Sequence, residues 1–447
     1  MTSDRAATSE PIVGQPAEGH TAPVWMTRFI AVMAILVAVG LATDFSKSGF
    51  GWDTQVNCAA VDAHVEGLDP YFVKNLKNTE LSYPYLPVTL DVFRPLCAGG
   101  FLVARYRVIY LVLAVLCAFL LPSLGAARRH DAALRIIFVF GGFLGFECVV
   151  ATGNFAMLGA LLTAVALRLL LRPVPTAGQG GAFPSMLAGA AVLGLVTSFK
   201  LVFFPVLAAL YVLPQPRGRK LVLIAVAAGA FALPLVISAT LYADLFSSWL
   251  AAITGRIPGQ HTPAGEANPS LMYLALIVAD RFGLAASQAI VAVLYGLLAI
   301  LLVLAPFAVS VWRMVGAKTF AGRSLPLARF DRWLMDHPRA AMRLALLAMY
   351  ALYICAPRLK EYAFFELALY AAVLVVDLPA AALATVMAVA IVAPMLAISG
   401  NLFMGGFAQL ATALVCFWIL LSRQAGRDLV VRAAGIEPAQ LSRAEGF

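Results

Sequence analysis

From about residue 25 to residue 422 the chain alternates apolar runs with short polar breaks. The runs lie near 25–43, 107–125, 134–151, 155–172, 184–199, 200–214, 220–243, 285–312, 340–356, 360–377, 379–397 and 404–422. A helix needs about 20 apolar residues to cross a hydrocarbon core of about 30 Å, so the pattern predicts an all-α polytopic membrane protein with about 12 transmembrane helices. Residues 1–24 are polar and rich in Pro, Gly and Thr, as in a disordered cytoplasmic tail, and 423–447 form a second cytoplasmic tail. Residues 25–422 then make one membrane domain. The first run lacks a small-residue cleavage site and is expected to stay as a span.

Lys and Arg set the expected orientation, because they are retained on the cytoplasmic side. Arg128, Arg129 and Arg135; Arg168 and Arg172; Arg217, Arg219 and Lys220; the basic 313–343 segment; and Arg423, Arg427 and Arg432 are assigned inside. Residues 44–106 and 244–284 become large outer segments, and shorter outer turns carry Gly153-Asn154, Phe199-Lys200, Pro357 to Glu361 and Gly400-Asn401. Both termini fall in the cytoplasm and the chain is placed in an inner or plasma membrane.

Within the first outer segment, Val56, Ala59, Ala60 and Ala63 have helical spacing, and Gly67 follows where a left-handed cap belongs, predicting a surface helix over 54–66. Asp69-Pro70 reads as a fresh helix start. After Tyr83-Pro84, an apolar stretch holding Asp91 and Arg94 reads as an interfacial helix.

Composition narrows the function classes. With 62% hydrophobic and 12% charged residues and a mean hydropathy of +0.89, the 447-residue chain cannot coat a soluble globule. The net charge of +9 is spread in short clusters between apolar runs and forms no aromatic-interleaved face for nucleic acid. Six cysteines show no CxxC pair and no metal-ligand spacing with His, so no metal site or cofactor is expected. Cys58 and Cys97 both lie in the first outer segment, where a disulfide is open to them, although isolated thiols are commoner.

The candidate chemistry gathers in the outer segments. Asp53 reads either as the N-cap of the 54–66 helix or as a general base at a membrane-surface cleft. Lys200, in "TSFKLVFFP", reads either as a snorkelling anchor or as an anion site for a lipid-linked phosphate, with Arg94, Arg256, Arg358 and Lys360 on the same side. Glu147 needs a partner or a wet cavity, and its substrate, proton-relay and helix-pairing readings stay open. His261 lies in the loop "RIPGQHTPAGEANPS", where a solvated role is the commoner one.

Taken in order, these segments resemble the family 87 glycosyltransferases, the GT-C group of polyprenyl-phosphate-dependent mannosyl- and arabinosyltransferases. That family shows an Asp after its first span, a helix of small residues, Gly-x-Asp-Pro-Tyr, and Tyr-Pro-Pro. Here stand Asp53, Ala59-Ala60, "GLDPYF" (with Asp69, Pro70 and Tyr71) and "YPYLP" from Tyr83 and Pro84, with Tyr85 replacing the second Pro. A Gly-Gln-x-Asn-like turn is matched loosely by "GNFAMLGALL" with Asn154, and a Lys-led turn by "FKLVFFP". "NPSL" from Asn268 and "PRLKEYAFF" from Pro357, with Glu361 and Tyr362, resemble later segments, without the paired histidines of some members.

The resemblance implies a GT-C-type fold and transfer of mannose or another hexose or pentose from a polyprenyl-phosphate donor to a glycolipid or polysaccharide acceptor. The reaction would take place on the outer face with inversion. Asp53 would be the base, and Lys200 with some of Arg94, Arg256, Arg358 and Lys360 would hold the leaving phosphate. Glu147, Asn154, His261, Asn268, Glu361 and Tyr362 are the candidates for sugar or acceptor contact. Competing readings are a transporter or flippase of lipid-linked sugars, a glycan ligase or polymerase, and a non-catalytic membrane partner.

Overall fold

A computed structural model describes residues 24–46, 51–124, 130–171, 182–257, 268–285, 287–315, 326–398 and 407–433. Among these residues every regular element is helical. Helix α1 (Val24–Ser46) leads to α2 (Trp52–Val65), α3 (Val88–Cys97) and α4 (Phe101–Leu120). A broken pair, α5 (Asp131–Gly141) and α6 (Gly145–Thr152), precedes α7 (Ala156–Leu170) and α8 (Ala182–Phe199). A 3₁₀ helix over Leu201–Val212 follows, then α9 (Arg217–Leu241), α10 (Ala243–Ile253) and α11 (Leu271–Arg281). The chain continues through α12 (Gln288–Ala299), α13 (Ala305–Val315), α14 (Pro326–Asp336), α15 (Pro338–Ile354) and α16 (Phe364–Leu374). It ends with α17 (Ala380–Met387), α18 (Ala393–Ile398) and α19 (Ala408–Ala433).

The chain is a multi-pass membrane protein. Among the described residues, six helical stretches are long and apolar enough to span: Val24–Thr43, Val88–Leu120, Asp131–Thr152, Arg217–Leu241, Gln288–Val315 and Ala380–Ala397. Other expected spans fall short of that length, as with Ala156–Leu170, Leu201–Val212 and Ala408–Arg423. The run expected over 200–214 winds as 3₁₀ around Pro205, which has no amide hydrogen to give an α-helical bond; at about 2 Å per residue it still extends roughly 24 Å.

The core is centred on α16, every residue of which is buried, with α5, α6, α7, α15 and α19 packed around it. A helix apolar on all sides needs such neighbours. The stretches Val24–Thr43, Arg217–Leu241 and Gln288–Val315 bury little of themselves, and Leu233, Val236, Val293 and Leu301 are exposed, as suits faces turned to lipid.

Between the first and second spans, a helix forms where one is expected over 54–66, starting at Trp52 and ending at Val65, with Gly67 in the left-handed conformation at φ 76°. Cys58 and Cys97 are joined by a disulfide, Cα to Cα 5.2 Å, which ties α2 to α3. Isolated thiols at these positions are thereby corrected: the two helices pack side by side. The helix start expected at Asp69-Pro70 is also corrected. Asp69 Oδ1 accepts from the Tyr71 amide at 2.9 Å in a turn, and only a short 3₁₀ segment, Val73–Asn75, follows. The Tyr71 hydroxyl donates to the Tyr85 carbonyl at 2.7 Å, Tyr83 shares a hydrogen bond with Thr89 at 2.5 Å, and Trp249 Nε1 donates to the Pro84 carbonyl at 3.4 Å. This motif folds the segment between α2 and α3 onto α3 and α10.

Helices α15 and α16 form a hairpin that separates two chemical ends of the molecule. Arg358, Lys360 and Glu361 stand at its turn, whereas Arg343 and Asp377 pair at its open end, with Nε–Oδ2 at 3.0 Å. Lys220, fully buried, pairs with Asp331 at 2.7 Å, so two segments assigned to one side by their basic residues do meet.

Candidate functional site

The site begins with two glycines. Gly51, at φ 52°, starts α2, and Gly153, at φ 68°, ends α6. Their close approach is needed: a Cβ on Gly153 would come within 3.0 Å of Gly51 Cα, and one on Gly51 would strike the Tyr106 ring at 2.7 Å. The Gly51 amide donates to the Ala151 carbonyl at 3.3 Å, and the Gly153 carbonyl accepts from Thr54 Oγ1 at 2.6 Å and from the Tyr110 hydroxyl at 3.0 Å.

This clamp brings Asp53 to Asn154. Asn154 Nδ2 donates to Asp53 Oδ2 at 2.5 Å, while Asn154 Oδ1 accepts from the Ala156 amide at 2.8 Å, fixing which end of the amide faces the acid. Asp53 is not the N-cap of α2: that position is Gly51, and the carboxylate is in the first helical turn, turned to another element.

Two lysines act on this acid, with an exposed arginine behind them. Lys200 and Lys360 both act electrostatically on Asp53, and Arg358 acts on Lys200 and Lys360. Lys200, in the break between α8 and the 3₁₀ helix, holds its ammonium 3.9 Å from the centre of the Tyr362 ring. Burial raises the Asp53 pKa, opposed by the Asn154 hydrogen bond and the lysine charges. Burial lowers Lys200 to about 7, against the pull of Asp53, with Lys360 and Arg358 lowering it further. Lys360 is lowered by burial and then by Arg358, and Glu361 is raised by burial. The result is a carboxylate made more basic beside ammonium groups that an arriving anion would stabilise.

Beneath Lys200 lies a largely apolar pocket of about 560 Å³, open at one side. Phe155, Phe199, Phe203 and Val206 form its walls, and Lys200 and Glu366 bring charge to it. Asn268 lies in the segment that meets the Pro357 turn, where Ser270 Oγ donates to the Pro357 carbonyl at 2.9 Å; its buried Oδ1 has no hydrogen-bond partner. Glu147 is half-buried on α6, the helix that leads into the Gly153 turn.

The structure thus gathers Asp53, Asn154, Lys200, Arg358, Lys360 and Tyr362. Arg94 and Arg256 are exposed, and no hydrogen bond or ion pair joins them to the cluster. His261 and the Gly400-Asn401 turn lie outside the described residues.

Sequence reasoning missed Glu366 and Tyr85. Glu366 is 7% exposed inside α16, where its Oε1 accepts from the Tyr370 hydroxyl at 3.4 Å. A lone acid in an apolar run was the available signal, since such a group needs a wet or polar site. Tyr85, at the position where the resembling family has Pro, is 5% exposed and lines the pocket.

Comparison of the chain with family models, curated proteins and solved structures finds no match.

Proposed function

We propose that this protein is an integral membrane glycosyltransferase of GT-C-type architecture with about 12 spans. It would move a sugar from a polyprenyl-phosphate donor to a hydroxyl of a glycolipid or polysaccharide acceptor on the outer face. The observation that carries this reading is Asp53, held by Asn154 and within electrostatic reach of Lys360 and of Lys200, the residue that also lines the apolar pocket.

In the reaction, the acceptor oxygen attacks the anomeric carbon from the face opposite the lipid phosphate, so configuration inverts. Asp53 takes the hydroxyl proton as the new carbon–oxygen bond forms. The bond from carbon to phosphate oxygen breaks, and its electron pair leaves on a lipid monophosphate. Lys200, with Lys360 and Arg358 behind it, stabilises the charge that gathers on that group. The pocket walls at Phe199, Phe203 and Val206 suit the first isoprenoid units.

The test is sugar transfer by the purified chain in lipid nanodiscs, supplied with radiolabelled polyprenyl-phosphate mannose, glucose or arabinofuranose and membrane extract. Transfer from one donor supports the reading. Failure with every donor, together with movement of a labelled lipid-linked sugar across proteoliposomes, would replace it with transport.

A further inference from the structure

We infer that the end of the bundle opposite Asp53 carries a binding site for the phosphate of an anionic glycerophospholipid, formed by Arg343, Asp377 and Arg423. The site is a second cavity, of about 310 Å³ with its open mouth, walled by Leu347, Leu378 and Leu420. The two cavities share no lining residue, and residues 343 to 354 of α15 rise about 17 Å from Arg343 towards the Arg358–Lys360 turn.

The charge arrangement is that of an anion site. Arg343 Nε and Nη2 both donate to Asp377 Oδ2, at 3.0 and 2.5 Å, which fixes the guanidinium plane and offsets its charge. Arg423 lines the same cavity from α19 with an exposed side chain, and no ion pair among the described residues engages it. The two guanidinium groups and one carboxylate leave the cavity with one net positive charge.

The walls select an amphiphile over a free anion. Leu347, Leu378 and Leu420 come from α15, the start of the α17 segment and α19, and give an apolar lining that inorganic phosphate would leave unused. A phospholipid would set its phosphate between Arg343 and Arg423 and lay an acyl chain along the leucines. Basic pockets between membrane helices use this chemistry for anionic headgroups. This inference is independent of the proposed transferase activity.

The test titrates the purified full chain with phosphatidylglycerol, with phosphatidylcholine and with inorganic phosphate, counting bound ligand by native mass spectrometry. The account expects phosphatidylglycerol to be retained over phosphatidylcholine, with Arg423→Gln weakening that retention about fivefold. Arg217→Gln, which removes the same charge from exposed α9, should leave it unchanged. A double variant, Arg343→Gln with Asp377→Asn, should also weaken retention while preserving a neutral pair. Equal retention by wild type and Arg423→Gln, an equal loss in Arg217→Gln, or binding of inorganic phosphate as strong as that of the lipid would overturn the inference.

Discussion

Asn154 donates a 2.5 Å hydrogen bond to Asp53 from a position 101 residues further along the chain. That contact turns a surface acid into an oriented one. It also opposes the rise in pKa that burial imposes on Asp53, so the two effects together set the pH at which the carboxylate becomes a base.

Removing the donor should therefore change the acid side of the pH profile. In Asn154→Ala the Asp53 pKa rises further, because a bond that favours the charged form is gone. The acidic limb of kcat/KM should move to higher pH, with activity at neutral pH lower by about 10-fold or more. An unchanged limb would mean that Asn154 only packs.

On the proposed mechanism the alkaline side belongs to Lys200, which must be protonated to hold a phosphate and which burial lowers to about 7. Activity measured as kcat/KM should fall as pH rises through that value. A bound phosphate favours the ammonium, so the corresponding limb in kcat should lie at higher pH. Lys200→Arg should remove the limb, because the guanidinium stays charged. Profiles of kcat and kcat/KM over pH 5–10 for both proteins check this.

The glycine clamp gives a stability prediction. Gly153→Ala puts a Cβ at φ 68° and within 3.0 Å of Gly51 Cα, so both backbone strain and collision oppose the α2–α6 contact. A loss of about 1–3 kcal/mol is expected. Thermal unfolding in detergent should show it, while Gly218→Ala, where a Cβ meets nothing within 4 Å, should be neutral.

Several of these features were legible in the sequence because they are local. Helical spacing of small residues and a following glycine were enough to predict α2 and its cap at Gly67. The same local logic could not choose between the N-cap and the exposed-base readings of Asp53, since the residue that claims its side chain comes from another part of the chain. Asp69-Pro70 carries the residues of a helix start, but they serve equally in the turn that seats Tyr71 under Tyr85. The turns at Lys200 and Pro357 stood out as charge beside long apolar runs, whereas Glu366 was lost within one. Charge on the expected outer side did not reveal which cations converge: Arg94 and Arg256 are assigned to that side, yet both are exposed and neither acts on Asp53 or Lys200.

The Cys58–Cys97 bond closes a loop of 39 residues in sequence separation that includes the Tyr71–Tyr85 motif. Reduction should destabilise the α2–α3 segment by about 2–4 kcal/mol through the freedom returned to the unfolded loop. Limited proteolysis with and without reductant should show earlier cleavage within residues 66–87 of the reduced protein. Equal cleavage would mean that packing of α2 on α3 suffices.

Asp53→Asn isolates the proposed base, because it keeps the size of the side chain and removes only its ability to take a proton. Single-turnover transfer from the radiolabelled donor should fall by about 10²–10⁴-fold, with donor affinity and thermal unfolding close to those of the wild type. Transfer at the wild-type rate in this variant would contradict the account, because the acceptor proton would then have to leave by another group.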